Sequence, residues 1–311
     1  MRLRTATLAV PARLGILVLL LVVAAATTVR GQGMDDVEIQ TIEVAEGVYM
    51  LMGRGGNIGV SVGDDGVFLI DDQFAPLTDQ ILAAIAEITD EPVRFVFNTH
   101  WHGDHTGGNE NLGEAGALIV AHDNVRQRMS AEQILERIGR PPSTTPASPT
   151  GALPVVTFSE DVSFHLNGGE LHAFHVANAH TDGDAIVHFQ AANVVHMGDT
   201  FFRGRFPFID TASGGSIDGL IAAVGEALSV MDPDTRIIPG HGALATREDL
   251  RVYADALKEM RDAVAGLMAR GMSLEEIQAE RPIRAYAALW DQDRESEDVF
   301  VATIHHGLGG R

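Results

Sequence analysis

Between Asn98 and Asn109 the chain reads Asn-Thr-His-Trp-His-Gly-Asp-His-Thr-Gly-Gly-Asn, which sets four metal-capable side chains, His100, His102, Asp104 and His105, within six residues. The run Val93-Arg94-Phe95-Val96-Phe97 before it has the β-branched and aromatic content of a strand, and the glycines after it make a turn. Residues i and i+2 of an extended chain share a face, so His100 and His102 converge at the strand's end. The turn swings Asp104 and His105 towards a second point close by. Two imidazoles facing one way, with a carboxylate and a third imidazole facing the other, suit two adjacent metal ions. The fold must therefore end a strand at a sheet edge where further ligands can meet it.

The chain has 311 residues, 45% of them hydrophobic, enough for a substantial core. Residues 1–32 stand apart. Arg2, Arg4 and Arg13 precede the apolar run Leu14–Ala26, and small residues follow. That layout predicts a signal peptide over 1–32, a periplasmic or secreted mature protein, and no stable membrane insertion after cleavage. The leader holds four arginines and no acid, so the remainder carries a formal charge of −25 against −21 for the whole chain. An acidic surface of that size repels nucleic acid and argues against a polyanionic substrate. A small-molecule substrate is expected, and no obligate protein partner is evident. With no cysteine, no disulfide or thiolate ligand is possible, so nitrogen and oxygen must hold any metal.

From Val37 the pattern predicts strands at 37–44, 47–53, 57–62 and 66–71, an amphipathic helix at about 75–89, and a strand at 93–99. After the histidine-rich loop come a strand at 117–121 and a helix at about 122–138. Residues 140–153, rich in Pro, Ser and Thr, read as a mobile loop. The second half repeats the scheme, with strands at 154–159, 161–166, 170–177, 184–190, 193–198 and 235–239 and a helix at about 217–230. Residues 246–308 read as mostly helical. Strand meanders alternating with isolated helices predict two sheets packed face to face with helices outside.

Three further candidates end apolar strands and are flanked by glycine: His180 before Thr181-Asp182-Gly183-Asp184, Asp199 after Gly198, and His241 in Pro239-Gly240-His241-Gly242. Glycine there lets the backbone turn sharply and leaves the side chain exposed. Each alone reads as an ordinary turn or cap. Beside the His-x-His-x-Asp-His cluster they gain weight as additional ligands. Asp182 and Asp184 are expected to fix the His180 loop, with Asp184 as an outer partner of the ligands. Trp101, between two ligands, should point away from them. His122, His165, His172, His175, His188, His196, His305 and His306 lack this context and read as surface or satisfied core residues.

These motifs resemble the metallo-β-lactamase superfamily over about residues 37–250. The likeness runs from Asp71 in Phe68-Leu69-Ile70-Asp71, through the His-x-His-x-Asp-His motif, to His180, Asp199 and His241, all in the family's order. It implies an α/β, four-layer αββα sandwich of two mixed sheets over 33–250, with a C-terminal helical extension, 251–311, packed on the same domain. It also implies two Zn2+ per chain, with iron or manganese as other occupants such ligands admit. One metal would take His100, His102 and His180, the other Asp104, His105 and His241, with Asp199 bridging and Asp71 supporting the loop.

The activity implied is hydrolysis by metal-activated water, with Asp104 orienting the nucleophile or passing a proton to the leaving group. Export and the wording around Asp199 favour a β-lactam or related cyclic amide. The chain departs from the commonest zinc β-lactamases, with Asp199 where they carry cysteine and Phe202 where they carry a substrate-binding lysine; the bridging Asp199 and the Asp104-His105 pair resemble instead glyoxalase II and general thioester, lactone or ester hydrolases. Arg203 and Arg205 are candidates to replace that lysine. An iron-dependent sulfur oxidoreductase of the same fold is the third reading. No phosphate-cradling loop is present.

Overall fold

Hydrophobic runs with no polar alternation mark strands that are covered on both faces. The sequence Val67-Phe68-Leu69-Ile70 is such a run, and the computed structural model buries all four residues. The structure describes residues 33–310; the leader expected over 1–32 lies outside them. Strands β1 (Gln40–Ala45), β2 (Val48–Met52), β3 (Ile58–Ser61), β4 (Val67–Ile70), β5 (Val93–Asn98) and β6 (Leu118–His122) lie side by side in that order. Two short strands, β7 (Gln133–Leu135) and β8 (Ser143–Thr145), pair with each other, and β9 (Val156–Phe158) completes the first sheet beside β6. The second sheet follows chain order: β10 (Asp161–Leu166), β11 (Gly169–His175), β12 (Ala185–Phe189), β13 (Val194–His196), β14 (Arg236–Ile238) and β15 (Ala245–Thr246). Both sheets are mixed, with β4, β5, β6 and β9 parallel in one and β13 parallel to β14 in the other.

The helices are α1 (Thr78–Ala86), α2 (Gly103–Thr106), α3 (Asn109–Glu114), α4 (Asp123–Met129), α5 (Ile217–Ser229), α6 (Arg247–Met268), α7 (Leu274–Glu280), α8 (Arg284–Leu289) and α9 (Arg294–Gly307). The period of two sorts the strand residues into layers. Phe68, Ile70, Phe97 and Val120 meet Leu171, Ala173, Val187 and Ile238 between the sheets. Val67, Leu69 and Val96 point the other way, onto Ile81 and Ile85 of α1 and Leu112 of α3. The outer face of the second sheet is covered by Leu220 and Val224 of α5, Leu257 of α6 and Phe300 of α9. The result is the helix–sheet–sheet–helix sandwich the patterning predicts. Among the described residues no helix is long and apolar enough to cross a membrane.

Two expectations change. The helix expected over 122–138 stops at Met129: the Ser130 and Ala131 N–H groups close its last turn onto the Arg126 and Arg128 carbonyls at 3.0 and 3.2 Å, and the Gln133 amide donates to the carbonyls of Arg128 and Ala131 at 3.0 and 3.3 Å. The rest of that segment enters the β7–β8 hairpin. The segment 140–153 is also not a featureless loop: Pro141 and Pro142 hold the backbone extended into β8, and Asn109 ties Ala152 down through its carbonyl at 2.9 Å.

Several histidines outside the loop are packed so that burial disfavours their charged form. His122 accepts the Asn124 N–H at 3.2 Å, donates to the Ser159 carbonyl at 3.0 Å and stacks on His175. His196 is fully buried, donating to Asn57 and accepting from Gly198. Burial, and for His122 also the neighbouring His175, pushes both imidazoles below their usual range, as burial does for His188. The unfolded chain takes up these protons near pH 6.5 and the native protein only at lower pH, so their contribution is complete above that value and is lost on acidification. The unfolding midpoint of chelated protein should therefore fall as pH drops from about 6.5. His122→Asn, which keeps a cap acceptor but takes no proton, should flatten that fall; an unchanged slope would exclude His122 as a contributor.

Candidate metal centre

Parallel strands end together, and here both sheets end at the same edge. Asp71 follows β4, and His100, His102, Asp104 and His105 follow β5, the last two on α2. From the other sheet, His180 follows β11, Asp199 lies in the single turn after β13, and His241 follows β14. Asn57 joins the halves. Its backbone N–H donates to the Gly240 carbonyl at 2.7 Å, and its amide donates to those of Pro239 and Gly242, both at 2.8 Å. The Ala185 N–H donates to Thr99 at 2.9 Å across the same seam.

The side chains form two groups, His100, His102, His180 and Asp199 in one and Asp104, His105 and His241 in the other, each with its donor atoms within 4.8 Å of one another. In the first group His102 Nδ1 lies 3.1 Å from His100 Nε2 and 2.9 Å from His180 Nε2. Asp199 spans the two groups. Its Oδ1 is 3.1 Å from His105 Nε2 and 3.4 Å from His241 Nε2, while its Oδ2 is 3.6 Å from His180 Nε2 and 3.9 Å from His100 Nε2. Asp104 Oδ2 lies 3.4 Å from His241 Nε2.

An outer ring of polar contacts sets which nitrogen of each imidazole faces inward. Asp71 accepts from His105 Nδ1 at 2.7 Å and from the Thr99 N–H and hydroxyl, both at 2.8 Å. It sits at φ 64, a left-handed conformation that aspartate tolerates better than most residues. The Phe208 carbonyl accepts from His180 Nδ1 at 2.8 Å. Asp210 accepts from His102 Nε2 at 3.0 Å. The Asp184 carboxylate accepts the backbone N–H groups of His180 and Thr181 at 2.6 and 2.7 Å and so shapes the loop rather than orienting a donor ring.

Asp210, Phe208 and Asn57 are absent from the sequence reading. Asp210 carries the local signature of a cap, its carboxylate accepting from Ser213 three residues on, and that signature hides its second partner. A carbonyl contact such as that of Phe208 leaves no trace in residue type.

Charge accumulates around the two groups. Burial opposes the cation at His105, but Asp199, Asp71 and Asp104 outweigh it and hold that imidazole well above its usual range. Burial and neighbouring imidazoles push His100 well below its usual range, and His180, also mainly through burial, down to about 4. Burial raises Asp199, yet His105 and His241 keep it well below the usual carboxylate range. His105 Nε2 and Asp199 Oδ1 are buried without a hydrogen-bond partner. Buried polar atoms are ordinarily satisfied, so two orphans facing each other across a ring of nitrogen and oxygen donors fit a bound cation.

Glycine makes room for this packing. A Cβ on Gly56 would lie 2.1 Å from His105 Cε1, and one on Gly240 would lie 2.2 Å from Asp199 Oδ1. Gly56→Ala must displace the pinned His105 ring. It should cost about 1–3 kcal/mol of stability, as overpacking does, and lower the metal content. Thermal unfolding with elemental analysis checks both, and an unchanged metal content would show that His105 is not a ligand.

The groups open into a cleft of about 660 Å³. Asp104 reaches it with 31% of its side chain exposed, against 5% for Asp199. Arg205 lines the cleft but Arg203 does not: it pairs with Asp249 at 3.1 Å and donates to the Leu244 carbonyl. The expectation that Arg203 binds substrate is corrected accordingly. Trp101 packs with Ala121, Val125 and Met129, but it does not point away from the donors as expected: its ring lies edge-on to that of His102, with centroids 4.6 Å apart.

Compared with known proteins, residues 51–266 match the sequence model of the metallo-beta-lactamase superfamily. The chain belongs to that superfamily. A hydroxyacylglutathione hydrolase of Erythrobacter litoralis (strain HTCC2594) is 24% identical over 167 residues, covering 52% of this chain and 54% of that protein. The chain spans about half the length of the curated relatives it matches. Among solved structures, a metallo-beta-lactamase from Pontibacter korlensis superposes with a TM-score of 0.58 at 17% identity, covering 71% of this chain and 99% of that one. A stereoselective inverting sec-alkylsulfatase from Pseudomonas sp. gives 0.61 at 17% identity, covering 86% of this chain and 50% of that one. The metallo-beta-lactamase fold thus accounts for both sheets and for the edge at which the seven donors meet.

Proposed function

We propose that this superfamily member is an exported dinuclear zinc hydrolase that opens the carbonyl of a cyclic amide, a β-lactam or a close relative. The observation that carries the reading is the pair of adjoining donor groups sharing Asp199, with His105 Nε2 and Asp199 Oδ1 buried and making no hydrogen bond. His100, His102, His180 and Asp199 would hold one ion, and Asp104, His105, His241 and Asp199 the other. A zinc pair, when bound, supplies a nucleophile drawn from water at neutral pH and a Lewis acid for the scissile carbonyl. The chain's own part is to fix the donors through Asp71, Asp210 and the Phe208 carbonyl. Asp104, open to the cleft, is positioned to carry a proton to the leaving group. Phe202 and Phe208 exclude water from the flanks of the site.

A second reading, a thioester or lactone hydrolase of glyoxalase II type, is favoured by the all-nitrogen-and-oxygen donor set and by the hydroxyacylglutathione hydrolase relative. The deciding experiment is elemental analysis of purified protein followed by a panel of a chromogenic cephalosporin, a glutathione thioester and an acyl lactone. About two zinc ions per chain and turnover of the cephalosporin would support the first reading. Turnover of the thioester alone would move the assignment to the second. Absence of bound metal would defeat both.

A further inference from the structure

Asp104 rides on the first sheet and His241 on the second, yet Asp104 Oδ2 comes within 3.4 Å of His241 Nε2. A third segment, the turn between β2 and β3, lies between their backbones. Gly56 donates its N–H to the Asp104 carbonyl at 3.0 Å, and the next N–H, that of Asn57, donates to the Gly240 carbonyl at 2.7 Å, one residue before His241. The carbonyls of the same dipeptide are engaged as well: Gly56 accepts from Gln73 Nε2 at 2.7 Å, and Asn57 accepts from His196 Nε2 at 3.1 Å. Every backbone polar group of Gly56-Asn57 is thus fixed, and the two N–H groups end on the segments that carry Asp104 and His241. The dipeptide is a crosspiece between the sheets.

Gln73 is an unusual residue to find beneath it. The side chain is fully buried, the backbone sits at φ 56, and Oε1 makes no hydrogen bond. A long side chain at positive φ is strained, and a buried oxygen without a donor adds to that cost. Its amide nitrogen is spent on Gly56, and its own carbonyl accepts the Gly107 N–H at 2.7 Å, just past the end of α2. One residue therefore grips both the crosspiece and the helix that carries Asp104 and His105. The loop lies flush on it: a Cβ on Gly55 would stand 2.6 Å from the Asp104 carbonyl oxygen and 3.0 Å from Gln73 Cβ. The His100, His102 and His180 group crosses the seam elsewhere, where the Ala185 N–H donates to Thr99 at 2.9 Å.

We infer that Gln73 is a positioning residue for the second donor group. Through Gly56-Asn57 it sets the separation of Asp104 and His241, and with it the affinity for the ion that these two and His105 would hold. The inference rests on the two-ion part of the reading above and not on the bond cleaved. Asp71, Asp210 and the Phe208 carbonyl act on rings, by choosing the nitrogen that faces inward. Gln73 makes no hydrogen bond to a donor side chain and acts on spacing instead.

The test is a chelator titration of the zinc-loaded protein, which reads the dissociation constants of the ions separately. Gln73→Met keeps the length of the side chain and removes the amide. It should weaken one ion by about tenfold or more and leave the other within about twofold. The weakened ion should be the one that His241→Ala loses, and in the His241→Ala background Gln73→Met should have no further effect on the ion that remains. Asn57→Leu, which strips the bonds to Pro239 and Gly242 from the other end of the crosspiece, should single out the same ion and serves as the independent variant if Gln73→Met does not fold. Ile85→Val, a core change on α1, should lower the unfolding midpoint and leave both constants unchanged. Equal weakening of both ions, no change in either, a further loss in the His241→Ala background, or the same selective loss in Ile85→Val would overturn the proposal while leaving the two-ion reading in place. A parent protein that takes up fewer than two ions would overturn that reading and this proposal with it.

Discussion

A His102→Ala variant should lose about a thousandfold or more in kcat/KM on whichever carbonyl substrate the panel selects, since several kcal/mol of metal-derived stabilisation go with it. His102 is the centre of its group, with Nδ1 2.9 Å from His180 Nε2 and 3.1 Å from His100 Nε2. Its removal leaves two imidazoles and a carboxylate shared with the other group. It also strands Asp210, a fully buried carboxylate whose imidazole partner is His102. An unpaired buried acceptor costs roughly 1–3 kcal/mol, so the unfolding midpoint should fall as well. Asp210→Asn separates the two effects. It retains a hydrogen-bonding group of the same shape and all seven donors, so it should lower metal affinity by roughly 10–100-fold without the full loss of turnover. Steady-state kinetics and elemental analysis on both variants provide the check. Full turnover by His102→Ala would sink the metal-dependent mechanism.

On the dinuclear proposal, Asp71→Asn should empty the position assigned to Asp104, His105 and His241 while leaving the fold largely intact. The amide oxygen can still accept the Thr99 N–H, as Asp71 Oδ1 does at 2.8 Å. The amide nitrogen then takes the place of Oδ2, which accepts from His105 Nδ1 at 2.7 Å. A donor there makes Nδ1 an acceptor and moves the ring proton to Nε2, the atom that faces Asp199 and the cation. The lone pair needed for coordination disappears without the loss of a single heavy atom. Affinity at that position should drop by roughly 10–100-fold, with metal content moving from about two towards one per chain. Asp71→Ala should be worse, since it also puts a non-glycine, non-Asx residue at positive φ, a cost of about 1–2 kcal/mol. Two metals retained in Asp71→Asn would mean that His105 does not coordinate through Nε2.

Much of this was legible in the sequence because the signals are periodic or clustered. The run Val67–Ile70 declared a strand buried on both faces, and the histidine spacing declared a turn at a strand's end. Four donors could be named because they cluster within six residues after a strand, three because they follow apolar strands near glycine, and Asp71 only through the resemblance to the superfamily's motifs. What escaped depends on partners far along the chain. Asp210 looks like an ordinary cap until His102, over a hundred residues earlier, is brought beside it. Arg203 and Arg205 are alike in sequence, and only the proximity of Asp249 and the Leu244 carbonyl turns one of them away. The end of α4 at Met129 involves backbone turns at Ser130 and Ala131 and the Gln133 side chain, which periodicity does not register.

The donors are divided between the two sheets: five of the residues discussed, Asp71, His100, His102, Asp104 and His105, ride on the first, while His180, Asp199 and His241 ride on the second. The gap between sheets therefore acts as a gauge for the spacing of the two donor groups. Ala173, fully buried between the sheets, works as a shim. A larger residue there would wedge the halves apart and detune the centre while every ligand stayed in place, so the breadth of the hydrophobic core is itself a tolerance to which the chemistry is machined.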